Sequence, residues 1–121
     1  MRALLYDVHG NLPALEAVLA DAGKVDSYIL GGDYALFGGW PKETLERLRA
    51  LENAIWIRGN GERWTANPAD APDNPVVPGA IEAARAALGE ADVAELAALP
   101  ETAALDGTLI CHGSPVSDVR S

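Results

Sequence analysis

Cysteine is all but missing from this chain. Cys111 stands alone among 121 residues, which excludes an intrachain disulfide and makes a reducing cytoplasm the expected compartment. Long apolar runs are missing too. No stretch approaches the roughly 20 apolar residues of a membrane span, and the opening MRALLYDVHG is broken by Asp7 and His9 too soon for a secretory signal. Cations are scarce: 9 Lys and Arg stand against 18 Asp and Glu, a formal net charge of -9. Such a field repels phosphate backbones and anionic lipid, so neither a nucleic-acid nor a membrane partner is expected. A bound divalent metal is one way for so acidic a protein to attract a phosphate. Histidine occurs only at 9 and 112. The glycine pairs Gly31-Gly32 and Gly38-Gly39 fit neither the GxGxxG nor the GxxxxGK[ST] spacing, so no nucleotide-binding loop is indicated.

What is present suits a single α/β domain over residues 1–121. Hydrophobic residues make up 49% and charged residues 22%, ordinary globular usage, and a chain of this length buries roughly two-thirds of its unfolded surface. Four short apolar segments read as buried strands: 3–8, 27–30, 54–57 and 108–111. NLPALEAVLADA, with Leu12, Leu15, Leu19 and Ala22 at helical spacing and Asn11 able to cap, reads as an amphipathic helix. PKETLERLRALE repeats that pattern behind Pro41. Strand, helix, strand, helix, strand implies parallel pairing through crossovers. ANPADAPDNPVVPG reads as a long surface loop. Helices over about 80–88 and 91–99 follow, parted at Gly89, and Asp106-Gly107 is placed as a tight turn between short strands.

The strands end alike, in YDVHG, LGGD, IRGNG and ICHG, each running into a metal-ligand type of residue beside glycine. In a parallel sheet the carboxyl ends share one edge, where the crevice of an open α/β fold lies. Asp7, His9, Asp33, Asn60 and His112 should therefore converge. Two residues apart on an extended chain means one face, so Asp7 and His9 are expected to reach one ion if the strand continues that far. This oxygen and nitrogen set suits manganese, iron or zinc rather than a thiolate-bound structural site, and Asp33 could bridge two ions. Taken singly, each residue has a plainer role: a strand-end Asp as a cap, a His as a hydrogen-bonded structural group, Asn60 as a turn residue. The metal reading rests on their joint placement. Cys111 is expected to face away from His112 into apolar surroundings, and Trp40, Trp56 and Trp64 to pack in core or loops rather than stack bases. Arg58 and Arg63 bracket GNGE; surface solvation is their default and contact with an anionic substrate the alternative.

DVHGN, GGDYALFGGWP, RGNGE and CHGSP, in that order, resemble the successive blocks of the calcineurin-like metallophosphoesterases, especially the small bacterial and archaeal phosphodiesterase and diadenosine tetraphosphatase-related branch. The resemblance implies metallophosphoesterase-like mixed β-sheets flanked by helices, here the N-terminal part of the full four-layer sandwich. It further implies a centre of two divalent cations (manganese, iron or zinc), with Asp7 and His9 on the first, Asp33 bridging, and Asn60 and His112 on the second. Asn60 would also touch the phosphate. The implied activity is hydrolysis of a phosphoester or phosphoanhydride by a metal-bridging hydroxide, acting on a small phosphorylated substrate.

Two departures stand out. Where many members carry a histidine that protonates the leaving oxygen, this chain has Gly61, so substrates whose leaving group is already a stable anion, such as p-nitrophenyl esters, are expected to be preferred. The GHxH block that closes the family's site is absent before Ser121. The expectation is a C-terminally incomplete domain with apolar edges exposed, binding metal weakly or forming a homo-oligomer over that surface. The rival reading is a catalytically inactive phosphoesterase-like scaffold for protein interaction. A sensor of an unrelated parallel α/β class would leave both histidines unexplained.

Overall fold

A computed structural model describes residues 1–114 and 117–119; Pro115, which closes the CHGSP block, lies outside them. Three parallel strands form the central sheet in the order β1 (Arg2–Leu5), β2 (Ser27–Leu30), β3 (Ala54–Trp56), with Leu5 beside Leu30 and Leu30 beside Trp56. Helix α1 (Leu12–Ala22) connects the first pair and α2 (Pro41–Arg49) the second. The Asn11 side chain accepts from the Ala14 N–H at 3.2 Å, and Pro13 sits in a first turn that needs no proline N–H. After β3 come α3 (Asn60–Ala66), α4 (Val77–Leu88) and α5 (Glu90–Ala97), and then an antiparallel hairpin of β4 (Thr102–Leu105) and β5 (Thr108–Cys111). Asp106 and Gly107 turn that hairpin with φ of 51° and 79°, the left-handed pair that matches strand twist.

Burial explains the layering. Leu5 and Leu30 meet Leu15 and Leu19 of α1, Leu45 and Leu48 of α2, Leu88 of α4, and Val93 and Leu96 of α5, so helices cover one face of the sheet. Alternation turns Ile29 to the other face, where it packs with Ile57 and with Ile110 of the hairpin. The result is helices, parallel sheet and hairpin in three layers. Leu4 and Leu109 keep 59% and 53% of their surface.

Several sequence expectations need correction. β1 stops at Leu5 rather than Val8, because Asp7 turns into the left-handed region. The segment 108–111 does not join the parallel sheet; it pairs antiparallel with β4, whose Thr-Ala-Ala-Leu sequence carries too weak a pattern to read as a partner strand. The proline loop is shorter than its composition suggests, since α4 begins at Val77 and takes Pro78 into its first turn. Cys111 is only partly buried. Among the described residues, no helix is long and apolar enough to cross a membrane.

Candidate metal centre

Asp7 and His9 follow β1, Asp33 follows β2, Asn60 opens the helix after β3, and His112 follows β5. Asp7, His9 and Asp33 place one ligand atom each within 4.8 Å of one another. Their approach does not come from strand alternation. Asp7, His9 and Asp33 have φ of 56°, 49° and 58°, half of the six non-glycine positive-φ residues among those described. A left-handed side-chain-bearing residue costs of order 1–3 kcal/mol and persists where its surroundings over-determine it. Here they do: the Asp7 N–H donates to the Gly32 carbonyl (3.1 Å), His9 to Asp33 (2.8 Å) and Gly10 to Tyr34 (2.7 Å). These bonds carry the β1–β2 ladder through two kinks and swing the side chains inward.

The imidazoles are fixed from behind. His9 Nδ1 lies 3.0 Å from the Leu36 carbonyl and His112 Nδ1 2.7 Å from the Gly31 carbonyl. A carbonyl only accepts, so Nδ1 carries the proton and Nε2 faces forward, the orientation that metal-binding histidines show. His9 Nε2 is 3.8 Å from Asp7 Oδ1 and 3.7 Å from Asp33 Oδ2; His112 Nε2 is 3.7 Å and 3.3 Å from the same two atoms. Such gaps exceed a good hydrogen bond, about 2.7–3.2 Å. They approach ligand-to-ligand edges around a cation, since bonds of about 2.1 Å give edges of about 3.0–3.4 Å.

Asn60 completes the donor set. One terminal atom of its amide lies 2.9 Å from His112 Nε2, 3.2 Å from Asp33 Oδ2 and 3.3 Å from the Asp118 carbonyl. The Asp33 carboxylate and the Asp118 carbonyl only accept, so without a cation the amide nitrogen takes the inner position and donates to them. A cation among them would instead favour the oxygen. The residues present therefore fit divalent metal.

Charge tunes the centre as well. The Asp33 carboxylate beside Nε2 outweighs partial burial and, aided by the Gly31 carbonyl and Asp7, raises the His112 pKa from 6.5 to about 9. Because the folded value exceeds the unfolded one, this contact stabilises the metal-free fold fully below about pH 6.5 and is lost as pH climbs through about 9. Thermal midpoints measured in chelator should decline across that window; a flat profile would contradict a protonated His112 held by Asp33.

One important residue escaped sequence reasoning. Glu62 keeps 3% of its surface, and its carboxylate accepts from the backbone N–H groups of Gly59 (2.8 Å), Asp33 (2.9 Å) and Tyr34 (3.0 Å). Burial pushes its pKa up, and the Asp33 charge adds to that against the pull of the three donors. The Gly59–Glu62 spacing is the glutamate half of a capping box and was the available signal; it marks a helix start where Asn60 looked like a turn. Gly59 has no side chain to complete the box, and none would fit, because a Cβ there would collide with the Asp33 carboxylate. The Tyr34 hydroxyl is 2.6 Å from the carbonyls of both Leu30 and Ile57, tying the ends of β2 and β3.

The arginines beside GNGE are engaged with carboxylates. Arg58 pairs with Glu101, and Arg63 holds Asp118 through Nε and Nη2 at 2.8 Å and Asp70 at 3.0 Å. Trp56 packs on the core against Tyr34, whereas Trp40 is 45% exposed.

A sequence model described as calcineurin-like phosphoesterase matches residues 7–121. The crystal structure of a metallophosphoesterase from Sphaerobacter thermophilus superposes with a TM-score of 0.81 at 33% identity, covering 97% of this chain and 48% of that one. A hypothetical protein from Pyrococcus horikoshii OT3 shares the fold with a TM-score of 0.73 at 24% identity, over 98% of this chain and 57% of its own. The chain thus spans about half the length of these solved relatives. No curated protein matches. A match that starts at Asp7 and runs through every quoted block, over a backbone that follows a metallophosphoesterase almost end to end, decides the matter: the chain belongs to the calcineurin-like phosphoesterase family.

Proposed function

We propose that this chain carries the metal-binding part of a hydrolase for small phosphoesters or phosphoanhydrides, with Asp7, His9, Asp33, Asn60 and His112 holding two divalent cations. The observation that carries the reading is the pair of Nε2 atoms, 3.3–3.8 Å from one carboxylate oxygen of Asp7 and one of Asp33, each ring anchored at Nδ1 by main chain. When bound, such cations would screen the charge of phosphoryl oxygens and lower the pKa of water. The chain's own groups supply the rest. Asp33 lies between the two imidazoles and is the bridging group; its Oδ1 accepts from the Gly61 N–H at 2.7 Å, leaving Oδ2 for the centre. The Asn60 amide stands where it can also orient a phosphoryl oxygen. Gly61 has no side chain to hand a proton to the leaving oxygen.

Manganese should therefore switch on hydrolysis of bis-p-nitrophenyl phosphate, a chelator should abolish it, and rates should fall steeply from aryl to alkyl esters. Rates indifferent to manganese would overturn the metal reading, and equal aryl and alkyl rates would overturn the role given to Gly61. A protein that loads metal and turns nothing over would favour the second reading, a catalytically silent scaffold, to which Gly61 also points.

A further inference from the structure

Beside His9 the structure spends two aromatic side chains on solvent. Phe37 and Trp40 keep 48% and 45% of their surface. They line an open cleft of about 490 Å³ together with Asp7 and His9, within the size range of small-ligand sites. The Phe37 ring centroid is 5.9 Å from that of His9, at a tilt of 59°.

Phe37 is also held in a conformation that disfavours it. Its φ of 79° is open to glycine and uncommon for a bulky side chain. The segment cannot relax, because it is fastened to the His9 turn on both sides of Phe37. His9 Nδ1 donates to the Leu36 carbonyl at 3.0 Å, and the Trp40 N–H donates to the Gly10 carbonyl at 3.0 Å. Gly38 lies so tightly on the His9–Gly10 backbone that any Cβ would collide with the His9 carbonyl. Backbone preference does not account for a phenyl ring at this position, since glycine would satisfy the backbone, and packing leaves 48% of the residue's surface to solvent. Strain that the surroundings maintain is a mark of function.

We propose that Phe37 and Trp40 form a specificity wall, and that the phosphorylated substrate carries a planar aromatic substituent which packs on these rings while its phosphoryl group occupies the metal centre. This rests on the phosphoesterase reading above and refines it to a substrate class. It also agrees with Gly61: an aryl leaving group departs as a stable anion and needs no protonation. Expecting the tryptophans to be packing residues holds for Trp56 and not for Trp40, because the extended segment after Phe37 turns that ring outward at the start of α2.

The test is calorimetric binding of phenyl phosphate and of ethyl phosphate to the manganese-loaded chain. Stacking on an aromatic side chain favours a planar ring over an alkyl group, so phenyl phosphate should bind about tenfold tighter. Phe37→Gly and Trp40→Leu should each shrink that ratio toward one. Phe37→Gly should melt no lower than the parent, which separates a lost wall from a lost fold, and Trp40 makes no side-chain cap on α2 that Trp40→Leu would remove. Equal affinities in the parent, or a preference that survives both substitutions, overturn the wall and leave the phosphoesterase reading standing. Binding of neither phosphate overturns both.

Discussion

Asp33→Asn should abolish metal retention and reduce manganese-dependent hydrolysis at least about a thousandfold, since several kcal/mol of charge stabilisation depend on that carboxylate and each 1.36 kcal/mol is tenfold in rate. The substitution is nearly isosteric. An amide oxygen can still accept from the Gly61 N–H, now at 2.7 Å from Oδ1, so the loop has no reason to open. What disappears is the negative charge 3.3 Å from His112 and 3.7 Å from His9. Two readouts follow. Metal content after dialysis should collapse while circular dichroism stays as in the parent. In the metal-free protein, the His112 pKa should move from about 9 back toward 6.5, because Asp33 is the leading cause of the rise. Unchanged metal content would refute the bridging role of Asp33.

Glu62→Ala should be the most destabilising single change in the site region without touching any proposed ligand. Three backbone N–H groups, of Gly59, Asp33 and Tyr34, would lose their acceptor at once in a buried place. Each orphaned donor costs about 1–3 kcal/mol, so for three donors a total of about 3–9 kcal/mol is expected against the 5–15 kcal/mol typical of whole domains. One effect opposes this: removing Glu62 also removes its repulsion with Asp33, the second cause of its raised pKa. The repulsion acts between two carboxylates held by separate main-chain donors, Glu62 by Gly59, Asp33 and Tyr34 and Asp33 by Gly61, and it offsets a fraction of the loss rather than reversing it. Glu62→Gln should recover only part, because one end of the amide presents N–H toward backbone N–H. Urea midpoints at pH 7 would measure both, and a Glu62→Ala protein as stable as the parent would show that these bonds are not what secures the Asp33 loop.

Much of this protein could be read along the chain, for local physical reasons. Leu12, Leu15 and Leu19, with Asn11 before them, define α1 because helical spacing and capping are properties of neighbouring residues. Asp106-Gly107 defines a hairpin turn for the same reason. The ordered blocks around Asp7, Asp33, Asn60 and His112 pointed to a metallophosphoesterase-like fold, and the family match and superposition agree.

Other features exist only in three dimensions. That His112 reaches the centre from an antiparallel hairpin follows from Ile110 packing on Ile29 and Ile57, a contact between segments more than 50 residues apart. Asp7 and His9 face one point because main-chain bonds to Gly32 and Asp33 force left-handed turns, which no alternation rule anticipates. Glu62 resembles an ordinary first-turn glutamate until the β2 loop folds onto it. Local sequence determined the helices, the hairpin turn and the types of donor atom. Long-range packing decided where those atoms point, because strained turns and buried carboxylates are stable only when distant main chain supplies their partners.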